Sequence, residues 1–201
     1  MPMAKTILLT SASAILCLGI TACERPNPRV PEGLADNQKA EAGSTGKEKF
    51  SLVEKAQAKL KGTKDNTIDG LVTFMPSEGR SEMKVSINIS GLTPGEHGFH
   101  IHTDPNCDNQ GKAAGGHFNP QEVDHSGPRQ ASQHVGDLGN ITANNKGDVD
   151  IEINNERLAF SGENNILNRA VVVHANADDL VSQPSGDAGG RVACGVIRSV
   201  E

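Results

Sequence analysis

From Glu82 to Ile89 the chain reads Glu-Met-Lys-Val-Ser-Ile-Asn-Ile, polar and apolar in strict alternation. Successive side chains of a strand point to opposite faces, so Met83, Val85, Ile87 and Ile89 share one face and leave the other wet. Ile68, Gly70, Val72 and Phe74 repeat the period, and Val149, Ile151 and Ile153 alternate with Asp148, Asp150 and Glu152. Period two with one wet face is the signature of an antiparallel sheet. Asn144-Asn145-Lys146-Gly147 separates Ile141 from Val149 as a hairpin turn would. Further short strands are expected at 51–60, 96–102, 157–161, 169–174 and 191–198. With Gly and Pro as punctuation, the class implied is all-β: a Greek-key β-sandwich or flattened barrel of about eight antiparallel strands. Segments 103–136 and 175–190 resist strand assignment, and long irregular loops in a compact domain usually carry function.

Composition removes several classes of partner. Aromatic residues are 2% of the 201-residue chain, five Phe with no Tyr and no Trp, which leaves no stacking platform for bases and no aromatic groove for Pro-rich peptides. A formal net charge of −6 argues against nucleic acid. The distribution is more telling. All seven His lie between His97 and His174, and residues 65–201 carry nine Lys and Arg against 19 acids, a net of −10. An acidic domain with clustered imidazoles has the composition of a metal site.

The N-terminus reads as a targeting signal. Residues 6–22 carry no charge and end in small residues before Cys23. At seventeen residues, rich in Ser, Thr and Ala, this run is marginal for a membrane span and suits a secretory segment better. Ile20-Thr21-Ala22-Cys23 resembles a bacterial lipoprotein cleavage box. That resemblance implies a signal peptide over 1–22, cleavage before Cys23, and a lipid on Cys23 that holds the exported chain to the cell envelope, at the periplasmic face or the cell surface. An uncleaved anchor and plain secretion are the other readings, and all three export the chain. Residues 23–49, rich in Pro, Gly and charge without periodicity, read as a flexible tether, and 50–201 as the domain. On the lipoprotein reading Cys17 leaves with the signal and Cys23 would be acylated, so Cys107 and Cys194 remain, and an oxidising compartment favours one disulfide between them.

The imidazoles carry the chemistry. His100-Ile101-His102 ends a strand-like run, and residues two apart on a strand face the same way, so both rings can converge on one ion. His117, His125 and His134 with Asp137 follow in the first long loop, and His174 ends the apolar run Ala170–Val173. Six imidazoles with one carboxylate at these positions make a metal site the reading to carry forward.

These residues sit in recognisable surroundings. Gly98-Phe99-His100-Ile101-His102, Gly116-His117-Phe118-Asn119-Pro120, His134-Val135-Gly136-Asp137-Leu138-Gly139-Asn140, Val173-His174 with Ala177-Asp178-Asp179-Leu180, and Arg191-Val192-Ala193-Cys194-Gly195-Val196-Ile197 resemble copper/zinc superoxide dismutase. They occur in family order, and the likeness spans about residues 54–201. The resemblance implies that His100, His102, His117 and His174 bind copper, and that His117, His125, His134 and Asp137 bind zinc, with His117 bridging the two. It makes Asp178 the carboxylate linking His100 to His125, Arg191 the guide for the superoxide anion, and Cys107–Cys194 the intrasubunit disulfide. His97 is left with a packing or supporting role. The reaction implied is dismutation of superoxide to O₂ and H₂O₂ outside the cytoplasm, with His117 and Arg191 as the catalytic side chains.

The chain departs from the family in two places. Loop 175–190 holds Asp178, Asp179 and Asp187 but no Lys or Arg, where the family often places steering lysines; Lys112 is the substitute to consider. Four residues separate His102 from Cys107 and nine separate Cys107 from His117. The residues absent there belong to surfaces the family uses to dimerise, so monomer and homodimer both stay open. A metal-buffering lipoprotein without turnover, and an adhesive sandwich with structural zinc, are the competing classes. Neither needs four imidazoles beside an Arg.

Overall fold

The computed structural model describes residues 52–64 and 66–201; the expected signal 1–22, Cys23 and the tether 23–49 lie outside the described residues. Eight strands follow in order: β1 (Ala56–Gly62), β2 (Asp69–Pro76), β3 (Met83–Ser90), β4 (Gly95–His102), β5 (Asp137–Ala143), β6 (Val149–Asn155), β7 (Ala170–His174) and β8 (Arg191–Ser199). They form one antiparallel sheet in the order β5-β4-β7-β8-β1-β2-β3-β6, curled into a nearly closed barrel. The β3–β6 and β4–β7 neighbours skip along the sequence, as Greek-key connections do. Among the described residues, helix is confined to single 3₁₀ turns at Glu78–Arg80 and Lys112–Ala114. The fold is the all-β class that the alternation predicts.

The inward residues make one core. Met83, Val85, Ile87 and Ile89 of β3 are buried with Val72 and Phe74 of β2 and Ala56, Ala58 and Leu60 of β1. Phe99 and Ile101 of β4, Val171 and Val173 of β7, and Ala193 and Ile197 of β8 close it from the other side. From His97 to His102 of β4 and throughout β7, the outward residues are buried as well. Register pairs His100 with Val172 and His102 with Ala170, so the imidazoles stand on the face that looks away from the core. Loops 103–136 and 175–190 cover that face; Ala114 and Cys107 pack there against Ala170, Val172 and Cys194. The loops therefore build a second interior outside the barrel.

Three expectations are corrected. The turn at 144–147 forms, with Asn144 N–H donating to Asp148 O (2.9 Å) and Gly147 N–H to Asn144 O (2.9 Å). The strands it joins meet there without forming a ladder: β5 is hydrogen-bonded to β4 and β6 to β3, and they are the two ends of the sheet that the barrel nearly brings together. A turn closed by its own hydrogen bonds is indifferent to strand partnership, and this one is seated by Leu92 N–H donating to Gly147 O (3.1 Å). Segment 157–161 is not a strand. Asn155 Oδ1 accepts from the N–H groups of Arg157 (2.8 Å) and Leu158 (3.0 Å), a turn that ends β6 and redirects the chain. Ile151 faces the core side opposite Ile87, yet it is 38% exposed, because β6 is the sheet's last strand.

Candidate metal centre

His100 and His102 extend from the outer face of β4, and His174 from the last residue of β7 beside it. His117 reaches them from the first loop through a backbone bridge to His102. Three amides close a ring at that junction: Ile101 N–H donates to Gly136 O (2.9 Å), Gly136 N–H to Phe118 O (2.9 Å), and Phe118 N–H to Ile101 O (2.8 Å). The ring locks β4, the His117 segment and the entry to β5 together. Gly136 is required there, since a Cβ would collide with the Ile101 carbonyl. Arg169 pins the same region from beneath, 3.4 Å from the Phe118 ring and donating to Thr103 O at 3.0 Å.

Two four-donor groups result, and they share His117. One is His100, His102, His117 and His174; the other is His117, His125, His134 and Asp137, with each group's ligand atoms within 4.8 Å of one another. In the first, His102 Nε2 and His174 Nε2 are 3.3 Å apart. In the second, Asp137 Oδ1 lies 2.7 Å from His117 Nδ1 and 3.1 Å from His134 Nδ1. His125 Nδ1 is 3.0 Å from Asp137 Oδ2 but misaligned for a hydrogen bond.

Each remaining ring nitrogen is held from behind. His102 Nδ1–H donates to Gly115 O (2.9 Å), His174 Nδ1–H to Gly189 O (3.2 Å), and His134 Nε2–H to Val123 O (3.0 Å). Asp178 accepts from His100 Nε2 at 2.8 Å with one oxygen and from His125 Nε2 at 3.0 Å with the other. Such partners fix the tautomer and aim the opposite nitrogen at a metal. Three nitrogens of these six rings, His100 Nδ1, His117 Nε2 and His125 Nδ1, are buried without a hydrogen-bond partner. Buried polar atoms are normally satisfied. Orphaned lone pairs that converge inside donor groups of four imidazoles, and of three imidazoles with a carboxylate, fit copper and zinc respectively.

Electrostatics agrees. Burial, and then neighbouring His117, draws His102 down to about 2, with Arg191 and His174 adding to the depression. His174 falls to about 3 through burial, His100, His117 and Arg191, and His117 to about 4 chiefly through burial. Burial works against the Asp137 carboxylate, but bonds from His117 and His134 outweigh it and hold its pKa well below the usual range. Asp178 is lowered in the same way, its bonds from His100, Leu180 N–H and His125 overriding burial. His134 moves the other way: burial lowers it, and the Asp137 bond and charge raise it further than that.

All the ligand positions read from the sequence come together. Arg191, half-buried at the start of β8, donates to Gly111 O and Gly115 O, each at 2.5 Å. Cys107 and Cys194 form a disulfide. His97 has the supporting role: its Nδ1–H donates to His174 O at 2.7 Å. Sequence reading gave no role to Asn140 or to the carbonyls of Gly115, Val123 and Gly189. Asn140 stands inside one of the matching motifs, which was its signal; a carbonyl carries none.

Comparison with known proteins gives a consistent answer. The family described as copper/zinc superoxide dismutase (SODC) matches residues 68–197. The chain is 42% identical over 140 residues to an extracellular Cu-Zn superoxide dismutase of Drosophila melanogaster, covering 66% of this chain and 77% of that one. It is 46% identical over 121 residues to one of Haemonchus contortus, covering 57% and 66%. Among solved structures, the clock protein EA4 aligns with a TM-score of 0.68 and 37% identity, over 75% of this chain and 98% of the other.

Proposed function

The chain belongs to the copper/zinc superoxide dismutase family, an enzyme that dismutes superoxide with copper and zinc, and from that premise we propose which residues do this and where. His100, His102, His117 and His174 hold copper. His117, His125, His134 and Asp137 hold zinc, and His117 bridges. The observation that carries this assignment is the pair of orphaned nitrogens, His100 Nδ1 and His117 Nε2, turned into the all-imidazole group.

The balance is two superoxide and two protons to one O₂ and one H₂O₂. Copper held by His100, His102, His117 and His174 would supply a one-electron couple between +2 and +1, and zinc held by His117, His125, His134 and Asp137 would supply a redox-inert positive charge beside it. The chain supplies the rest. Arg191 binds the anion: two of its five N–H donors are spent on Gly111 and Gly115, which aims the guanidinium and leaves donors for superoxide. His117 holds a proton at Nε2 in one half of the cycle and delivers it to the departing peroxide in the other, with water giving the second proton. Asp178 keeps His100 and His125 from turning, and the two loops keep bulk water from the rings.

The setting we propose is the cell envelope. The charge-free run at 6–22, the Ile20-Thr21-Ala22-Cys23 box and the extracellular relatives support an exported chain tethered by a lipid on Cys23 and meeting superoxide outside the cytoplasm. The test is direct superoxide decay by the copper- and zinc-loaded protein beside His174→Ala and Arg191→Ala. We expect His174→Ala to abolish catalysis and Arg191→Ala to slow it about tenfold. Tight binding of both metals with decay no faster than buffer would instead make the protein a metal buffer.

A further inference from the structure

His125 is the zinc-group residue with the least support from the barrel. His117 is bridged to β4, and Asp137 opens β5 with His134 in the turn just before it. His125 sits mid-loop, eight residues beyond His117 and nine before His134. Among the described residues, no main-chain group bonds to its amide or its carbonyl. Both are taken by one side chain. His125 N–H donates to Gln183 Oε1 at 2.8 Å, and Gln183 Nε2 donates to His125 O at 2.8 Å. A primary amide offers one donor and one acceptor side by side, so Gln183 satisfies His125 as a neighbouring strand would.

The same device recurs in reverse. Asn140 of β5 donates to Asp178 O (2.8 Å) and accepts from Asp178 N–H (2.7 Å). Loop 175–190 is thus gripped at Asp178 by the barrel, and in turn grips loop 103–136 at His125. Asp178 also bonds the His125 ring at Nε2. Backbone and ring of His125 are therefore both fixed by loop 175–190, and the position of Nδ1 follows. Gly186 lets that loop come so near: its φ is +68°, and a Cβ would strike Asp178 Oδ1.

We propose that Gln183 is a positioning residue of the zinc site, setting how tightly zinc is retained by holding the His125 main chain. The proposal rests on the assignment of His117, His125, His134 and Asp137 to zinc. It separates the metals: His100, His102 and His174 stand on β4 and β7 and do not depend on the amide clamp. Gln183 is exposed, so replacing it opens no hole in the core.

The experiment uses the full chain loaded with both metals and follows release of zinc and of copper to a chelator. Gln183→Met removes both hydrogen bonds at similar length. Gln183→Glu keeps the acceptor and sets a carboxylate oxygen against the His125 carbonyl. Both variants should release zinc about tenfold faster than wild type, with copper release unchanged, and cobalt placed in the zinc site should show an altered visible spectrum. Gln183→Asn, the same amide on a shorter stem, should recover part of the loss. Zinc release equal to wild type in both variants would overturn the role of Gln183 and leave the site assignment standing. Equal acceleration of zinc and copper loss would overturn it too, by reducing the amide to general loop upkeep. A wild-type chain that holds no zinc, or a His134→Ala chain that holds it as well as wild type, would overturn the assignment and the proposal together.

Discussion

His102, His174 and His117 enter the folded protein with pKa values of about 2, 3 and 4 against 6.5 for an ordinary imidazole, chiefly because burial penalises the charged ring. They are neutral across the physiological range, which is the state in which an imidazole can take a metal. The same shifts fix how the metal-free protein responds to acid. Between those values and 6.5 the unfolded chain binds protons that the folded chain refuses, so stability falls as pH falls. The depressed carboxyls of Asp137 and Asp178 add to this below 3.8, where the stability they contribute as carboxylates is lost. His134, raised by Asp137, acts oppositely: its contribution is full below 6.5 and is lost as pH rises through its folded value. Three rings outweigh one, and the thermal midpoint of the metal-free protein should drop by several degrees from pH 7 to pH 5. A level or rising midpoint over that range, read by circular dichroism, would contradict the account.

The disulfide is the element that joins the site to the barrel. Cys107 lies early in the first loop and Cys194 in β8, 87 residues apart. Gly111 N–H donates to Cys107 O at 3.0 Å, and Gly111 O accepts from Arg191, so the bridge seats one of the two carbonyls that aim the guanidinium. Closing so long a loop is worth about 4–5 kcal/mol by chain entropy. Cys107→Ser with Cys194→Ser should lower unfolding stability by about that much and slow superoxide decay as Arg191 loses its seat. A denaturant midpoint and a rate both equal to wild type would refute the coupling. The element scale also shows what a sequence can tell. The β2 and β3 alternations were legible because period two reports a face directly, and all the ligand positions but His125 were legible because motifs surround them. Partnership across the sheet was not: Asn144–Gly147 encodes a turn, while the choice of β3 for β6 is made by core residues far along the chain. Asn155 hides the end of β6 in the same way, since a side-chain oxygen that redirects the backbone leaves no periodic trace. Gln183 was silent for a further reason, because its work is done on another residue's main chain.

Charge acts on the whole molecule. With a net of −7 over residues 50–201, the domain repels an anion at long range, and the approach of superoxide depends on local fields. Lys112 lies exposed in the 3₁₀ turn between Gly111 and Gly115, the two residues whose carbonyls hold Arg191. Loop 175–190 offers no cation of its own. Lys112→Gln should therefore cut the superoxide rate about twofold at low ionic strength and converge on wild type at high salt, where the screening length is only a few ångströms. Identical salt profiles for the two proteins would remove Lys112 from steering. One feature of the barrel reaches further than catalysis. Phe99 and Ile101 alternate with His100 and His102 along a strand covered on both sides. A slip of one residue in the pairing of β4 would exchange the two sets, turning imidazoles into the oily centre and a phenyl ring toward the ions. No half-correct product can keep its metals. Retention of copper and zinc through purification is thus a proofreading mark, stamped only on chains whose strands have found the right register.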